Sequence, residues 1–268
     1  MSAGQIVIIP ITMALVIRLG WRGAMWWLGF AALVVVLPLV FGVIRDGPRK
    51  SQDPFGAPAA ERSGMTVMSA VREPAFWLLA GSFFVCGYTS NGLILTFFID
   101  DCINRGFAST QAANALAIMG GLNVVGTIAS GWVCDRFGRR IPLSAFYFFR
   151  GVTLIWLIFV HTPVGLFAFA AAFGLNYIAT VPPTNSLIAR IFGTRSAGEI
   201  YGWVFVSHQV GSALGALMGG FTFNMQHSYT FAYITAAALA VAAAIAVLTI
   251  RDAPRYVPAT AGLQPAPA

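Results

Sequence analysis

The chain has 268 residues, of which 58% are hydrophobic and only 9% are charged, and its mean hydropathy is +0.77. A soluble domain of this length needs more polar surface than this composition provides, so the sequence predicts a membrane protein. The net charge of +7 does not indicate nucleic-acid binding, because the basic residues lie in short islands between long apolar runs. Cys86, Cys102 and Cys134 fit neither a metal site nor a disulfide framework, and we interpret them as packing residues.

Eight apolar runs are long enough, or nearly so, to cross a bilayer core of about 30 Å as helices. The first two, residues 3–17 and 23–44, are separated by a polar turn. Prolines and charges follow over residues 45–73, which is typical of a solvated linker. We expect the Pro- and Ala-rich residues 251–268 to form a disordered tail. The six runs between linker and tail are 74–99, 110–134, 141–160, 163–191, 198–224 and 229–250.

The basic residues are distributed unevenly between the two sides of the predicted membrane. Twelve share the side of the linker, and only Arg18, Arg22 and Arg105 lie on the other. Because cytoplasmic loops carry the excess of Lys and Arg, we expect the linker and the C-terminal tail in the cytoplasm of a multi-pass cell (inner) membrane protein. The twelve are Arg45, Arg49, Lys50, Arg62, Arg72, Arg136, Arg139, Arg140, Arg190, Arg195, Arg251 and Arg255.

A charged stretch, GWVCDRFGRR at residues 131–140, joins the second and third runs after the linker. We expect Asp135 to accept hydrogen bonds from backbone amides and an arginine, Gly138 to supply a positive φ, and Gly131 to let another helix approach. A generic basic turn would explain the arginines but not Asp135 and Gly138 at these offsets. The residues that carry the pattern are Gly131, Asp135, Arg136, Gly138, Arg139 and Arg140.

This stretch resembles the G-x-x-x-D-R-x-G-R-R loop of the major facilitator superfamily, which follows the second helix of each six-helix half. The resemblance implies an all-α polytopic membrane protein with a partial major facilitator fold and about eight transmembrane helices, five to twelve. Residues 1–44 would be the last two helices of an incomplete N-terminal half, and 45–73 a cytoplasmic linker. Residues 74–250 would be the six-helix C-terminal half, and 251–268 a disordered cytoplasmic tail; helices one to four are absent.

Four further stretches resemble the monocarboxylate and organic-anion transporters of that superfamily, including bacterial relatives. In the animal monocarboxylate carriers, helix eight carries an Asp four residues before an Arg, where this chain has Asn123 and Thr127. In that family the Asp and Arg pair is associated with proton-coupled monocarboxylate movement. Its absence here argues against both lactate-like specificity and proton coupling. The stretches are GYTSNGLI at 87–94, VGTIASGW at 125–132, ATVPPT at 179–184 and GWVFVSHQ at 202–209.

Polar side chains inside the apolar runs are the candidate substrate contacts, because they cost free energy in lipid unless they have partners. Arg150 is predicted to lie about 13 Å into its helix, close to the middle of the membrane. It either binds substrate or locks neighbouring helices together. Its partner would be backbone, an amide, a bound anion or an acid on the helices that this chain lacks. His208 either responds to protons and anions or packs as a neutral imidazole. The candidates are Tyr88, Asn91, Asn123, Arg150, Asn176, Thr180, His208 and Gln209.

The spacing of polar residues predicts which helix faces line a cavity. Tyr88 and Asn91 lie three apart, and Asn176, Thr180 and Thr184 recur every four, which we interpret as cavity lining. Pro182-Pro183 would free carbonyls near Ile178 and Ala179, either beside a cavity or in a packed kink.

The spacing of small residues predicts close helix packing. Gly211, Gly215 and Gly219 recur every four residues on one predicted helix, and Gly126 with Ser130 forms a shorter series on another. The resemblance implies that both of these faces meet the N-terminal half.

The sequence therefore predicts a gradient-driven secondary transporter that moves a small organic anion, such as a monocarboxylate, by alternating access and without a cofactor or metal. Its partners would be the bilayer, the small-molecule substrate, the absent N-terminal helices and a candidate coupling proton. The alternative is an inactive truncated fragment or a half-transporter subunit that needs a separate N-terminal partner. An enzyme is not expected, because the runs contain no catalytic Ser or Cys with a His, no paired carboxylates and no His-rich metal motif.

The topology is testable with fusions placed after Arg251. A fluorescent reporter there is expected to fold in the cytoplasm, and an alkaline phosphatase there is expected to be inactive, because the flanking basic residues hold that end inside. Active phosphatase without fluorescence would reverse the orientation.

Overall fold

The structure is a computed structural model that describes residues 2–38, 42 and 64–253. Most of the predicted linker and the tail from residue 254 lie outside the described residues. Within the described ranges the chain is helical, and the β pairing there is an isolated bridge between Gly64 and Gly193. The predicted all-α class is therefore confirmed.

The first helix, α1, covers Ser2–Ala31 and is broken at Gly20, whose φ of 71° and ψ of 170° are not helical. A positive φ is strained for residues with a side chain, so glycine suits this position. The break falls inside the polar turn that the sequence predicts between its first two helices. A π-helical segment, Ala32–Val36, follows, and α1 packs against the helix Ser109–Phe137 described below.

A short helix, α2 (Val67–Val71), lies within the predicted linker. The Thr66 hydroxyl accepts a hydrogen bond from the Ser69 amide at 3.4 Å and so caps its first turn. The Met65 amide donates to the Phe192 carbonyl at 2.7 Å. The last residues before the six-helix unit are therefore held against it.

The rest of the described chain has the six predicted helical runs, one of which is divided. Its helices are α3 (Pro74–Asn104), α4 (Ser109–Phe137), α5 (Arg140–Ile158), α6 (Pro163–Asn176), α7 (Val181–Phe192), α8 (Ala197–Gln226) and α9 (Thr230–Leu248). The prediction of one continuous helix over 163–191 is wrong, because α6 and α7 are separated by residues 177–180.

Five of the described helical runs are long and apolar enough to cross a membrane: α3, α4, α5, α6 with α7, and α9. The thirty-residue α8 is long enough but less apolar, since it carries Glu199, His208, Gln209 and many glycines. The helix α1 is also outside this set. The five runs fit a multi-pass membrane protein, whereas the sequence predicts about eight crossings.

The glycines of α8 set its distance from α3. A Cβ at Gly211 would overlap the Phe84 carbonyl oxygen, and one at Gly215 would lie 2.5 Å from that of Tyr88. Gly92 approaches α8 in the same way, because a Cβ placed on it would lie 2.6 Å from the Ser212 carbonyl oxygen. The predicted close packing is therefore confirmed at Gly211 and Gly215.

Gly219, the third member of the series, is also buried against α3 but meets side chains instead of backbone. A Cβ there would lie 2.4 Å from the Phe97 ring and 3.1 Å from Leu93 Cδ2. The close packing predicted for Gly219 is thus confirmed, with an aromatic ring filling the space that its missing side chain leaves.

The partner implied for this glycine series is corrected. Gly211, Gly215 and Gly219 all face α3 of the same six-helix unit, whereas the resemblance implied that they face the N-terminal half. Bulkier side chains, among them Leu214, Leu217 and Phe221, occupy the exposed face of α8. The small residues lie on the side where two helices of the unit must approach closely.

The corresponding position on α4 behaves in the same way. A Cβ at Gly126 would overlap the Leu175 carbonyl oxygen of α6, so this small-residue face also packs within the described six-helix unit. The neighbouring Ser130 is buried and donates to the Thr127 carbonyl at 2.9 Å. Gly126 and the glycines of α8 are therefore occupied by contacts within the described six-helix unit.

The charged turn between α4 and α5 agrees with the sequence in part. Gly138 has a φ of 78°, as predicted. Nothing described lies within 4 Å of a Cβ placed on Gly131, so no described helix makes the expected close approach there. The Asp135 side chain is exposed and makes no ion pair with another described residue, while Arg136 lies 5.8 Å from the ring centre of Trp132.

The last two arginines of this turn bind neighbouring helices. The Arg139 Nε donates to the Ser186 hydroxyl on α7, and the Arg140 Nη1 donates to the Ile250 carbonyl, at 3.2 Å, just after α9. The turn is thus tied to the middle of α7 and to the end of α9 by its arginines, where we had expected Asp135 to organise it.

The glycine crossing predicts a large stability difference between two substitutions on one helix. Gly211→Ala should lower the free energy of unfolding by about 1–3 kcal/mol, because the added methyl must displace the α3 backbone. Gly220→Ala has open space around it and should be neutral or slightly stabilising. Detergent-solubilised protein followed by thermal unfolding would compare them; equal effects would contradict this packing.

Candidate functional site

A cavity of about 580 Å³ lies between α3, α4, the break before α7, and α8. None of the fifteen described residues that line it is Asp, Glu, Lys or Arg. They are Phe83, Cys86, Ser90, Asn91, Leu95, Val124, Thr127, Ile128, Tyr177, Ile178, Val181, Tyr201, Phe205, His208 and Gln209. This size and mixed lining are typical of small-molecule sites.

Irregular helix geometry in α3 supplies one wall of the cavity. Its middle, Tyr88–Leu95, is π-helical, a geometry that is frequent at functional sites. Asn91 faces the cavity, whereas the Tyr88 hydroxyl points away and lies 3.3 Å from the Thr235 hydroxyl on α9. The prediction that Tyr88 and Asn91 share a face is wrong, because a π-helix turns through a smaller angle per residue than an α-helix.

The break between α6 and α7 supplies the opposite wall. Pro182 and Pro183 occupy the first turn of α7, where their missing amide donors cost little. The chain therefore starts a new helix at Val181, and the Tyr177 and Ile178 side chains face the cavity. The Tyr177 hydroxyl donates to Asn91 Oδ1 at 3.3 Å, so the two irregular segments meet directly.

Arg150 holds this break from outside the cavity. Its Nη2 donates to the carbonyls of Asn176, at 2.8 Å, and Tyr177, at 2.9 Å, at the end of α6. Its Nη1 is 3.4 Å from the Thr89 hydroxyl on α3. The residue is 0% exposed and is not among the cavity lining. Of the partners that the sequence left open, backbone carbonyls are the ones present, and they suit a cation at a helix C-terminus.

Two buried asparagines complete the support of the break. Asn123 Oδ1 accepts from the Ile178 amide at 2.9 Å, and Asn176 Nδ2 donates to the Phe146 carbonyl at 2.7 Å. Both are predicted substrate contacts, yet both are buried and neither lines the cavity. These hydrogen bonds to backbone groups are how polar side chains stabilise a helix break in an apolar surrounding, and Asn123 Oδ1 also accepts from the Thr127 hydroxyl at 3.4 Å.

Thr180, another candidate, is fully buried beside the cavity. Its hydroxyl lies 3.3 Å from Cys86 Sγ, and Cys86 itself is a lining residue as well as a core residue. Of the eight candidates, Asn91, His208 and Gln209 line the cavity, and the Gln209 amide oxygen is 3.2 Å from His208 Nδ1. The candidates that do not line it are Tyr88, Asn123, Arg150, Asn176 and Thr180.

Sequence reasoning missed the aromatic part of the site. The rings of Phe205 and His208 are stacked, with centroids 5.2 Å apart and an interplanar angle of 7°, and Phe83 lies 5.0 Å from His208. Tyr201 continues the cluster, 6.1 Å from Phe205. The spacing of positions 201, 205 and 208 places these residues on one helix face, so the signal was present in the sequence.

Comparison with known proteins agrees with the fold. Residues 85–268 match the family Major Facilitator Superfamily. The chain belongs to this superfamily. It is 29% identical to the uncharacterised MFS-type transporter YcxA of Bacillus subtilis, over 85% of this chain and 56% of that one. It is 23% identical to monocarboxylate transporter 12 of Rattus norvegicus, over 86% and 53% of the two chains.

Among solved structures, the fucose:proton symporter FucP of Escherichia coli matches with a TM-score of 0.58 and 16% identity, over 85% of this chain and 56% of that one. At this identity the match concerns the fold. This chain spans about half the length of the relatives that it matches, and it matches their C-terminal part. The resemblance to the major facilitator superfamily that the charged turn indicated is therefore confirmed.

The contacts of Arg150 predict its response to substitution. Arg150→Met keeps an apolar chain of similar reach but leaves two carbonyls without their donor, at a cost of about 1–3 kcal/mol each. Arg150→Lys retains a cation and should lose less. Exposed Arg195→Met should leave unfolding unchanged. A stable Arg150→Met protein, measured by thermal unfolding in detergent, would contradict the locking role.

Proposed function

We propose that this chain takes part in the secondary transport of a small organic anion, of which a monocarboxylate is the model substrate, by alternating access. Membership of the superfamily supports membrane transport of a small solute. Several relatives are named monocarboxylate transporters, which supports the substrate class. The cavity is the part of the described chain that suits a solute of this size.

The observation that carries the anion proposal is the buried charge of Arg150. Among the described residues it has no carboxylate partner: its hydrogen bonds go to backbone and hydroxyl oxygens, and its guanidinium lies 5.8 Å from the ring centre of Tyr147. The lining of the adjacent cavity carries no acid. At an effective dielectric constant of about 20, two unit charges about 4 Å apart interact by about 4 kcal/mol, and this energy falls in inverse proportion to their distance. Arg150 would therefore favour anions through its field without touching them.

Three lining side chains would supply the direct hydrogen bonds. Asn91 and Gln209 carry amide donors, and the His208 ring carries an N–H, so a carboxylate oxygen would find donors from α3 and α8. These are neutral or weakly basic groups that release a substrate more readily than a bidentate arginine would. That balance suits a carrier, which must bind and then let go.

Alternating access would use the two irregular segments. The π-helical middle of α3 and the break before α7 meet at the Tyr177–Asn91 hydrogen bond, and both belong to the proposed six-helix half, residues 74–250. Substrate that displaces this hydrogen bond would loosen the contact between the segments. The proposed orientation has the linker at 45–73 and the tail at 251–268 in the cytoplasm of an inner membrane, with a coupling proton as a further candidate partner.

A half-transporter is the second candidate function. The chain spans 56% of the Bacillus subtilis relative and 53% of the Rattus norvegicus relative. A two-lobed carrier closes its cavity between halves, so this chain would need the helices that precede residue 1 in its relatives, supplied by a separate N-terminal polypeptide. Without them it would be an inactive fragment.

Uptake into membrane vesicles separates these functions. We expect labelled carboxylates to accumulate in vesicles that carry the chain together with the N-terminal part of the Bacillus subtilis relative, and a neutral amide of the same shape to be excluded. Uptake by the chain alone would remove the half-transporter candidate. Equal uptake of the amide would contradict anion selectivity, and uptake in neither preparation would contradict the transport proposal.

His208 provides the matched test of the site. His208→Phe preserves the stacking surface but removes the ring N–H, and we expect about tenfold weaker uptake, the usual effect of losing a hydrogen bond to a charged group. His161→Phe changes an exposed histidine outside the cavity and should leave uptake unchanged. A similar loss in both variants would locate the effect outside the proposed site.

A further inference from the structure

We propose that the cavity selects planar aromatic carboxylates over short aliphatic acids and over aromatic amino acids. This inference rests on the proposed function and names the substrate class of the same site. It follows from the volume of the cavity, the arrangement of its aromatic rings and the sign of its charges.

The volume is too large for a three-carbon acid. The cavity of about 580 Å³ lies within the range of pockets that bind drug-sized ligands, whereas a water molecule in the liquid takes about 30 Å³. A lactate-sized acid has six non-hydrogen atoms and, even with the volume of a water for each, would take about a third of the cavity. The remainder would stay filled with water, which lowers the apolar burial available for binding.

The aromatic rings offer a flat surface of the right kind. Phe205 stacks one face on His208, yet the residue is 41% exposed. Tyr201 and Phe83 flank it, with centroids 6.1 Å and 6.3 Å from the Phe205 ring. A second planar ring placed against the open part of Phe205 would gain offset-stacked contact, which an aliphatic chain does not make.

The polar groups lie where the carboxylate of such a ligand would need them. Asn91 and the Tyr177 hydroxyl are joined across the cavity from the aromatic helix α8, and Gln209 follows the stacked His208. A ligand whose ring lies on Phe205 would have hydrogen-bond donors for its acid in the lining of the same cavity. A ligand with one flat apolar ring and one carboxylate therefore suits a lining that has both aromatic and hydrogen-bonding side chains.

The charges exclude an ammonium group. The lining has no carboxylate among its described residues, and the buried Arg150 lies behind the wall formed by Cys86 and Tyr177. A positively charged amine would meet repulsion from Arg150 and find no acid partner. A simple monoanion is thus favoured over a zwitterion of the same shape.

Equilibrium binding to the purified chain in lipid nanodiscs tests the inference, with labelled benzoate as the probe. We expect benzoate to bind at least tenfold more tightly than lactate, and to be displaced poorly by benzamide and by phenylalanine. Lactate binding as tightly as benzoate, or phenylalanine competing equally, would overturn the inference. Benzamide competing equally would contradict the anion part of the proposed function while leaving the aromatic preference in place.

A ring-removing variant makes the test specific to the aromatic wall. Phe205→Leu should weaken benzoate binding about three- to tenfold, the usual contribution of an aromatic contact, and leave lactate binding unchanged. Phe221→Leu removes an exposed ring of the same helix outside this cavity and should change neither. Unchanged benzoate binding in Phe205→Leu would overturn the inference.

The failure of this inference is distinguishable from that of transport. If no ligand binds the chain in nanodiscs, the aromatic inference is overturned, while vesicle uptake of short acids would still support the proposed function. If benzoate binds but no preparation transports it, the inference stands and the transport proposal fails.

Discussion

The hydrogen bonds from Arg150 to the end of α6 are the interaction on which the candidate site depends. A charge buried in an apolar helix bundle requires compensation, and here two backbone carbonyls provide it at 2.8 and 2.9 Å. Those carbonyls can accept from Arg150 because α6 stops at Asn176 and the next helix begins at Val181, with prolines in its first turn. The guanidinium and the break therefore stabilise each other, and the break turns Tyr177 toward the cavity.

The opposite wall depends on a different constraint, the close crossing of α3 and α8. Glycines on both helices bring the two backbones into contact, so neither helix has room to rotate. The π-helical middle of α3 lies at this crossing, and it turns Asn91 into the cavity and Tyr88 away from it. Arg150 also reaches α3 through Thr89, so one buried charge touches both irregular segments. The cavity is thus held by rigid contacts around it.

The sequence predicted the helices well and the site incompletely, for physical reasons. Apolar runs and charge islands predict membrane helices, and the glycine and proline of tight turns predict their ends, as at Gly20 and Gly138. Pro182-Pro183 predicted freed carbonyls or a kink near Ile178, but the full separation into two helices over 177–180 and the π segment were not predicted, because hydropathy is the same in a broken helix and a continuous one. Every face assigned by α-helical spacing across those segments therefore shifted, which moved Tyr88, Asn176 and Thr180 out of the lining. The aromatic residues of α8 were missed because apolar rings do not stand out in an apolar helix.

Hydrogen exchange of the amides over residues 176–181 tests the central claim that Arg150 fixes the break. Comparison of the wild-type chain with Arg150→Lys in nanodiscs is the most direct form of the measurement. In Arg150→Lys we expect exchange in this segment to rise at least about tenfold, while α4 and the glycine face of α8 stay protected, because the lost hydrogen bonds act only at the helix end. Unchanged exchange at residues 176–181, or an equal rise throughout the six helices, would contradict it.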